Sequence, residues 1–335
     1  MRQLPQLSQL SQLPQRVNII NSALRHTHST NIQSSVQSHT TRLLNNVTIF
    51  GSAFKYGQKK DGVERAPIVM DNAGLVDRLT KAGNTVKYFG PVYPEREDVP
   101  IPKIVGSYAA NLTRKIYQER LEGNKIINIG GDHSVAIGSI NGVLRHDPET
   151  IIVFIDAHAD INTFESSPSG NMHGMPLAFV TGLEDSDKLG SSNKYLVPRL
   201  RFDRLGYIGI RDLDPFEKEI IKKHKIINYS SDDVMKQGGE FIAEKVIRKL
   251  DPSGKRPIHV SFDIDVFDPS VVCGTGSLAE NGIGIVEAYR MLTYLRNTGR
   301  VVGMDMVEVN PSLDNNGVTV YLAMSCIEIL FDQRV

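Results

Sequence analysis

The chain has 335 residues, of which 40% are hydrophobic and 23% are charged, and its 38 basic side chains equal its 38 acidic ones in number. This composition is typical of a globular protein and excludes a disordered or fibrous one. Because the net charge is zero, no global electrostatic footprint indicates nucleic acid or an anionic membrane as a partner, and we expect a small molecule instead. No apolar run approaches the roughly 18 residues that a membrane-spanning helix needs.

The chain has two cysteines, Cys273 and Cys326, and neither lies in a CxxC metal-binding pattern. Two cysteines cannot form a disulfide scaffold in a chain of this length. We therefore expect a reducing compartment.

The first 44 residues differ in composition from the rest of the chain. Residues 1–15 repeat Gln and Leu every three residues, which is the period of neither a helix nor a strand. Residues 1–60 contain seven basic side chains and no acidic one. We exclude residues 1–44 from the fold and interpret them as a mitochondrial transit segment. The alternative interpretation of residues 1–44 is a low-complexity tail that has no targeting function, in a cytoplasmic protein.

Short apolar runs rich in β-branched residues recur from Asn46 onward, with amphipathic segments such as 104–121 between them. They predict eight strands, at residues 47–50, 86–89, 127–129, 151–155, 205–210, 225–229, 258–262 and 301–306. The run 151–155 (IIVFI) is apolar on both faces, as a buried parallel strand should be. The alternation of strands and helices predicts one α/β domain over residues 45–335, with a parallel sheet covered by helices on both faces.

Two helix starts are also visible. Asp214 followed by Pro215 is typical of an N-cap and the first helical position. Ser230 or Ser231 is expected to cap a helix that extends to Leu250.

Side chains that bind metal ions follow three of the predicted strands. They are His133 after strand 127–129, Asp156, His158 and Asp160 after strand 151–155, and Asp263 and Asp265 after strand 258–262. Open parallel sheets collect ligand-binding residues at the carboxyl ends of their strands. Residues two apart in an extended segment point to the same side, so these side chains can converge.

Four carboxylates that lie together repel one another unless cations neutralise them, and two divalent ions would balance four negative charges. Oxygen ligands with a minority of imidazole favour manganese, ahead of magnesium, iron, cobalt or nickel. Zinc more usually has thiolate or additional imidazole ligands. We therefore predict a dinuclear metal site.

Other polar residues near these motifs have simpler interpretations. A single Asp at a strand end, such as Asp132, is usually a cap or turn residue. His146, His224 and His259 lie beside charged or proline residues and are interpreted as surface or packing groups. The remaining histidines outside the motifs, His26, His28 and His39, lie in the N-terminal segment.

The motifs around these residues closely resemble those of the arginase branch of the ureohydrolase family, and the resemblance covers residues 46–335. The motifs stand in the family's order and approximate spacing. They are GSAFKYGQKKDGVERAP (51–67), GGDHS (130–134), DAHADINT (156–163), SGNMHG (169–174), RDLDP (211–215), SFDIDVFDPS (261–270) and DMVEVNP (305–311).

The resemblance implies an eight-stranded parallel sheet flanked by helices and a homotrimeric assembly. It also implies hydrolysis of L-arginine to L-ornithine and urea with two Mn²⁺ per subunit, an activity that belongs to arginine metabolism and the urea cycle. The implied metal ligands are His133, Asp156, His158, Asp160, Asp263 and Asp265. Asp132 would orient a ligand or a loop behind them.

The resemblance also implies the catalytic residues. Two ions that share one water would lower its pKa, so that a bridging hydroxide attacks the guanidinium carbon. Asp160 would orient this hydroxide, and His173 would carry a proton to the leaving amine. Glu308 would face the positive guanidinium. Alternatively, His173 closes a turn beside Gly174 and Glu308 pairs with a neighbouring Arg.

Substrate recognition is implied for a third set of residues. They are Asn162, Ser167, Ser169 and Asn171 for the α-carboxylate and α-amino group, Asp214 for the α-ammonium group, and Ser277 at the pocket rim. Neutral hydrogen-bonding groups suit a carboxylate, and Asp214 can serve as an N-cap as well. The chain departs from the family in the loop 271–284 and at Phe164 and Glu165. Glu287 matches a trimer contact of related enzymes.

Three alternative functions can be compared with this interpretation. Another amidinohydrolase, or a formiminoglutamate hydrolase, could use the same metal site. A non-catalytic relative is disfavoured because all six ligands, His173 and Glu308 are present. A phosphoesterase is disfavoured because no Lys or Arg cluster near the motifs could bind a phosphoryl group.

Overall fold

The computed structural model describes residues 45–95, 97–190, 195–197 and 199–334. The predicted transit segment, 1–44, therefore lies outside the described residues. The helices and strands, in chain order, are β1 (Asn45–Ser52), α1 (Ala66–Asn72), α2 (Leu75–Lys81), β2 (Asn84–Val92), α3 (Ile101–Leu121), β3 (Lys125–Ile129), α4 (Ala136–His146), β4 (Ile151–Ile155), α5 (Pro176–Thr181), β5 (Leu205–Gly209), α6 (Pro215–His224), β6 (Ile227–Ser230), α7 (Ser231–Gln237), α8 (Gly239–Leu250), β7 (Ile258–Asp263), α9 (Ile285–Asn297), β8 (Val301–Val307) and α10 (Val318–Phe331).

Within the described residues, the strands form one sheet of eight parallel strands in the order β2-β1-β3-β8-β7-β4-β5-β6. The predicted α/β fold is confirmed. β3, β8, β7 and β4 are adjacent at the centre of the sheet. Because all strands run in the same direction, the segments that follow these four strands meet at one edge. This order places the predicted metal ligands and Glu308 side by side.

The sheet is buried between two layers of helices, as the strand sequences predict. In β4, Ile151, Val153 and Ile155 belong to one apolar cluster, together with residues of α1, α2 and α7 to α10. Ile152 and Phe154 belong to a second cluster, together with residues of α3 to α6. Alternate side chains of a strand point to opposite faces, so a run that is apolar throughout fills both cores. None of the helices in the described part of the chain is both long and apolar enough to cross a membrane.

Besides differences of one to three residues at several strand ends, two predicted elements were wrong, each because of a single backbone angle. The predicted helix from Ser230 to Leu250 is two helices, α7 and α8, because Gly238 between them has φ 94°, which a right-handed helix does not allow. Ser230 does cap α7, by accepting a hydrogen bond from the backbone N of Asp233. The sixth strand begins at Ile227 instead of residue 225, since Lys225 ends α6 with a left-handed φ of 54°.

Candidate active site

The predicted metal ligands converge at the carboxyl edge of the central strands, in two groups. The first surrounds Nδ1 of His133, which lies 3.1 Å from Oδ2 of Asp156, 3.0 Å from Oδ2 of Asp160 and 3.3 Å from Oδ2 of Asp263. His133 stands in a single 3-10 turn directly after β3, and its side chain is fully buried.

The second group surrounds Nδ1 of His158. This nitrogen lies 3.1 Å from Oδ2 of Asp265 and 3.5 Å from Oδ1 of Asp156. Asp156 thus directs one oxygen to each group, and its carboxylate lies between them. Ligand atoms of Asp156, His158 and Asp265 lie close enough to hold one ion, as do those of His133, Asp156 and Asp160.

The electrostatics of these groups fit bound cations. Burial and the charge of Asp156 raise the pKa of Asp160 to about 6. Burial likewise raises the pKa of Asp263 well above its usual value, and the negative charges of Asp265 and Asp156 raise it further. Among the described residues, Nδ1 of His133 and Oδ2 of Asp156 are buried without a hydrogen-bond partner of suitable geometry. Buried polar atoms normally have partners, and two divalent cations would satisfy both atoms and relieve the repulsion.

The opposite side of the His133 ring is fixed by other residues. The ring stacks on Phe154 with centroids 4.6 Å apart. Its Nε2 lies 2.9 Å from Oγ of Ser261. When Nε2 carries the proton and donates it to Ser261, Nδ1 has a free lone pair, which is the state that a metal ligand needs.

Ser261 belongs to a buried polar network across three central strands, formed by Asn128, His259, Ser261 and Asp305. Oδ2 of Asp305 lies 2.9 Å from Nε2 of His259 and accepts a 3.3 Å hydrogen bond from Ser261 Oγ, while Oδ1 accepts one of 3.0 Å from Asn128. Burial alone would raise the pKa of Asp305, but His259 and the other hydrogen bonds lower it below its usual value. His259, interpreted from the sequence as a surface or packing group, is thus a buried hydrogen-bonding residue.

Asp132 serves both of the roles considered for it. Its Oδ1 accepts a 3.0 Å hydrogen bond from the backbone N of Ser134 and so caps the 3-10 turn that carries His133. Its Oδ2 accepts a 2.8 Å hydrogen bond from the backbone N of Gly57, which fixes the loop after β1. Burial and the nearby charge of Glu308 raise the pKa of Asp132 to about 6.

Glu308 lies behind the first group and is 2% exposed. Its Oε1 accepts a 2.9 Å hydrogen bond from the backbone N of His133 and lies 3.1 Å from Nδ1 of His173. Its Oε2 accepts a 2.6 Å hydrogen bond from Nε2 of Gln58. No Arg of the described ranges is among these partners. Although burial lowers the pKa of His173, the charge of Glu308 more than compensates and raises it to about 9.

Asp160 and Glu308 both have left-handed backbones, with φ of 49° and 61°. For a residue with a Cβ atom this conformation costs about 1–2 kcal/mol. Both residues were predicted to be catalytic, and strained backbones of this kind cluster at functional sites.

A cavity of about 200 Å³ opens beside the two groups. Five predicted substrate-binding residues and five predicted catalytic or metal-binding residues line it. They are Asn162, Ser167, Ser169, Asp214 and Ser277, with His158, Asp160, His173, Asp263 and Asp265. Asn171 and Glu308 are not among the lining residues that are described. Asp212 and Glu217, which were not predicted from the sequence, also line the cavity.

Asp214 lines the cavity and also caps a helix, as its sequence context predicts for the cap. Its Oδ2 accepts a 2.8 Å hydrogen bond from Nδ2 of Asn162. Its backbone N donates a 3.0 Å bond to Glu217, which completes a capping box at the start of α6. Burial raises the pKa of Glu217 to about 7. The spacing D-P-F-E at 214–217 matches a capping box and was a signal for Glu217.

Of the three departures from the family, only the loop 271–284 supplies a described lining residue of this cavity, Ser277. Phe164 packs edge-on against Phe179, with ring centroids 5.9 Å apart, and like Glu165 it is not among the described lining residues. Hydrogen bonds from Arg211 connect the divergent loop 271–284 to the segment that contains the predicted metal ligand Asp265. The guanidinium of Arg211 donates to the carbonyls of Asp265 (2.9 Å), Ala279 (2.8 Å) and Glu280 (2.9 Å).

Comparisons with known proteins agree with this geometry. Residues 45–331 match the model of the Arginase family. The chain is 37% identical to an arginase of Schizosaccharomyces pombe, over 87% of this chain and 93% of the relative. It is 35% identical to "Arginase-2, mitochondrial" of Rattus norvegicus, over 92% of this chain and 91% of the relative.

Among solved structures, the arginase of Entamoeba histolytica in complex with L-ornithine superposes with a TM-score of 0.77. The two chains are 32% identical over 86% of this chain and 98% of that one. The resemblance found in the sequence is thereby confirmed, and the chain belongs to the arginase family.

Proposed function

We propose that this member of the arginase family hydrolyses L-arginine to L-ornithine and urea. The observation that carries the proposal is a pair of metal-ligand groups that share Asp156, beside a cavity lined by Asp214 and by neutral hydroxyl and amide groups. The metal-ligand groups suit attack on a guanidinium carbon, and the polar lining suits an amino-acid head group. The similar arginase of Entamoeba histolytica binds L-ornithine, which is the product of this reaction.

Two manganese ions would be held by His133, Asp156, Asp160 and Asp263 on one side and by Asp156, His158 and Asp265 on the other. Manganese fits the mixture of carboxylate and imidazole ligands. When bound, the ions supply Lewis-acid chemistry, in which they lower the pKa of a water nucleophile and stabilise negative charge in the transition state.

The protein's own side chains orient the reactants and transfer the proton. Asp160 orients the nucleophile, and Glu308 attracts the guanidinium group. His173, whose pKa is raised to about 9, is protonated at neutral pH and can donate a proton to the leaving amine nitrogen. Asp214 receives the α-ammonium group. The α-carboxylate is bound or surrounded by neutral side chains, those of Asn162, Ser167, Ser169, Asn171 and Ser277.

We expect manganese-loaded protein to release urea from L-arginine but not from agmatine or guanidinobutyrate. Agmatine lacks the α-carboxylate and guanidinobutyrate lacks the α-ammonium group, so each leaves part of the polar lining unpaired. The measurement is urea release from the three compounds, before and after manganese is added to metal-stripped protein. Activity on agmatine alone would indicate a different amidinohydrolase, and no activity on any of them would indicate a non-catalytic relative.

We further propose that residues 1–44 direct the protein to mitochondria. The proposal is supported by the absence of acidic residues from 1–60 and by the similarity to mitochondrial arginase-2 of Rattus norvegicus. A fusion of residues 1–45 to a fluorescent reporter is expected to enter mitochondria. A reporter that stays in the cytosol would contradict this.

A homotrimer is proposed from the family resemblance. Glu287, which matches a trimer contact in related enzymes, here accepts a 2.6 Å hydrogen bond from the backbone N of Gly239 in the same chain. Light scattering of the full chain would distinguish a trimer from a monomer or a dimer.

A further inference from the structure

The first of the family-like motifs, residues 51–67, has no role in the function proposed above, yet part of it contacts the site. We call residues 54–62, between β1 and α1, the Gln58 loop. Its backbone is bonded to two site segments. Gly57 N donates to Asp132 Oδ2 over 2.8 Å, and the backbone N of His173 donates to Gly57 O over 3.0 Å. The loop is therefore held by the residues on either side of Glu308.

Gly57 allows this close approach because it has no side chain. A Cβ atom at this position would lie 2.3 Å from Oδ1 of Asp132 and 2.8 Å from Oγ of Ser134. Non-bonded contacts of a Cβ atom are essentially never this short, so any larger residue at position 57 would displace Asp132 or the loop. At the other end of the loop, Nζ of Lys60 donates to the carbonyl of Gly276, next to Ser277 on the cavity wall. The loop is thus fixed on both sides of Gln58.

Gln58 supplies the one hydrogen bond that Oε2 of Glu308 makes among the described residues, with Nε2 at 2.6 Å. The other oxygen, Oε1, already interacts with His133 N and with the His173 ring. Both carboxylate oxygens are therefore fixed. The amide of Gln58 is neutral, so it orients the carboxylate without cancelling its charge. Gln58 therefore does not reduce the negative charge of Glu308, which the His173 ring also faces.

We propose that Gln58 is a positioning residue that fixes the carboxylate of Glu308 for the guanidinium group of the substrate. This inference rests on the proposed function. Gln58 acts through Glu308, which under the proposed function attracts the guanidinium group, whereas Asp214 and the serines bind the amino-acid head group. A change at Gln58 should therefore affect L-arginine much more than L-ornithine, which has no guanidinium group.

The test compares Gln58→Met with wild-type, full-length, manganese-loaded protein. Methionine keeps the length of the side chain and removes the amide. We expect kcat/KM for L-arginine to fall about ten- to a hundredfold, the usual effect of losing a hydrogen bond to a charged group. The inhibition constant of L-ornithine should change much less than kcat/KM, because L-ornithine lacks the guanidinium group and only its shorter δ-ammonium group could approach Glu308. Gln58→Glu should lower kcat/KM further, since it places a second carboxylate against Glu308.

Lys59→Ala is the matched control, because Lys59 is the exposed neighbour of Gln58, and its kinetics should match the wild type. An unchanged kcat/KM in Gln58→Met would overturn the inference. The inference would also be overturned by an equal loss of affinity for L-ornithine. A fall in melting temperature that accounts for the lost activity of Gln58→Met and Gln58→Glu would overturn it as well. Either result would indicate a general role in loop structure. Wild-type protein that releases no urea from L-arginine would instead overturn the proposed function.

Discussion

Replacing Asp156 with Asn is expected to reduce manganese-dependent urea release on the order of a thousandfold, since several kcal/mol of transition-state stabilisation depend on the metal ions. Asp156 directs Oδ1 towards the His158 group and Oδ2 towards the His133 group. The variant has nearly the same volume but no negative charge, so the affinity of both groups for manganese should fall. The measurement pairs the urea assay with the number of manganese ions that remain bound after gel filtration.

Asp203→Asn is the control for this variant. The Asp203 side chain is 60% exposed and pairs with Arg201, outside the cavity lining, so its variant should bind and turn over like the wild type. His133→Ala, which removes a ligand of the first group alone, should retain more manganese than Asp156→Asn. If Asp156→Asn keeps two tightly bound ions and full activity, the two groups do not share this carboxylate.

Replacing Asp305 with Ala is expected to lower the free energy of unfolding by about 3–5 kcal/mol, since three buried side chains each lose a hydrogen-bond partner. His259, Ser261 and Asn128 would each lose a buried hydrogen-bond partner. Ser261 would also be free to rotate away from His133, so manganese affinity should fall about ten- to a hundredfold. Denaturant unfolding of the metal-free protein measures the first effect, and manganese titration measures the second.

Asp305→Asn separates charge from shape, because it keeps the side-chain volume and one oxygen acceptor. It should destabilise the metal-free protein less than Asp305→Ala does. If Asp305→Ala lowers stability while manganese binds with wild-type affinity, the buried polar network supports the sheet alone and does not orient His133.

The sequence predicts the fold well because its strand signals are local. Eight apolar runs correspond to the eight strands of the described sheet, and the predicted ligands lie at the ends of three of them, β3, β4 and β7. The errors occurred where one backbone angle overrides an apolar pattern. Gly238 breaks a helix whose side chains continue the amphipathic period, and Lys225 ends α6 in a left-handed conformation inside an apolar run. A pattern of side chains carries little information about such angles.

The site was predictable only where its residues cluster in motifs. The network around Asp305 was not foreseen, because Asn128, His259 and Asp305 are single polar residues within apolar strands, and their contacts depend on which strands are neighbours. Strand order also brings Gln58 to Glu308, across 250 residues of sequence. Loop geometry likewise decides that Phe164 packs against Phe179 and not into the cavity. Such long-range pairings are properties of the folded chain.

The position of β8 has a consequence for biosynthesis. β8 is the last of the eight described strands to leave the ribosome, but it lies between β3 and β7 at the centre of the sheet. Until it is inserted, β3 and β7 each present an unpaired edge, flanked by apolar side chains that favour aggregation. The residues after β3 and those after β4 and β7 also belong to separate halves of the nascent sheet. The half with β4 and β7 holds the whole His158 group, but His133 lies in the other half, so the two-ion site is complete only after β8 has joined the two halves.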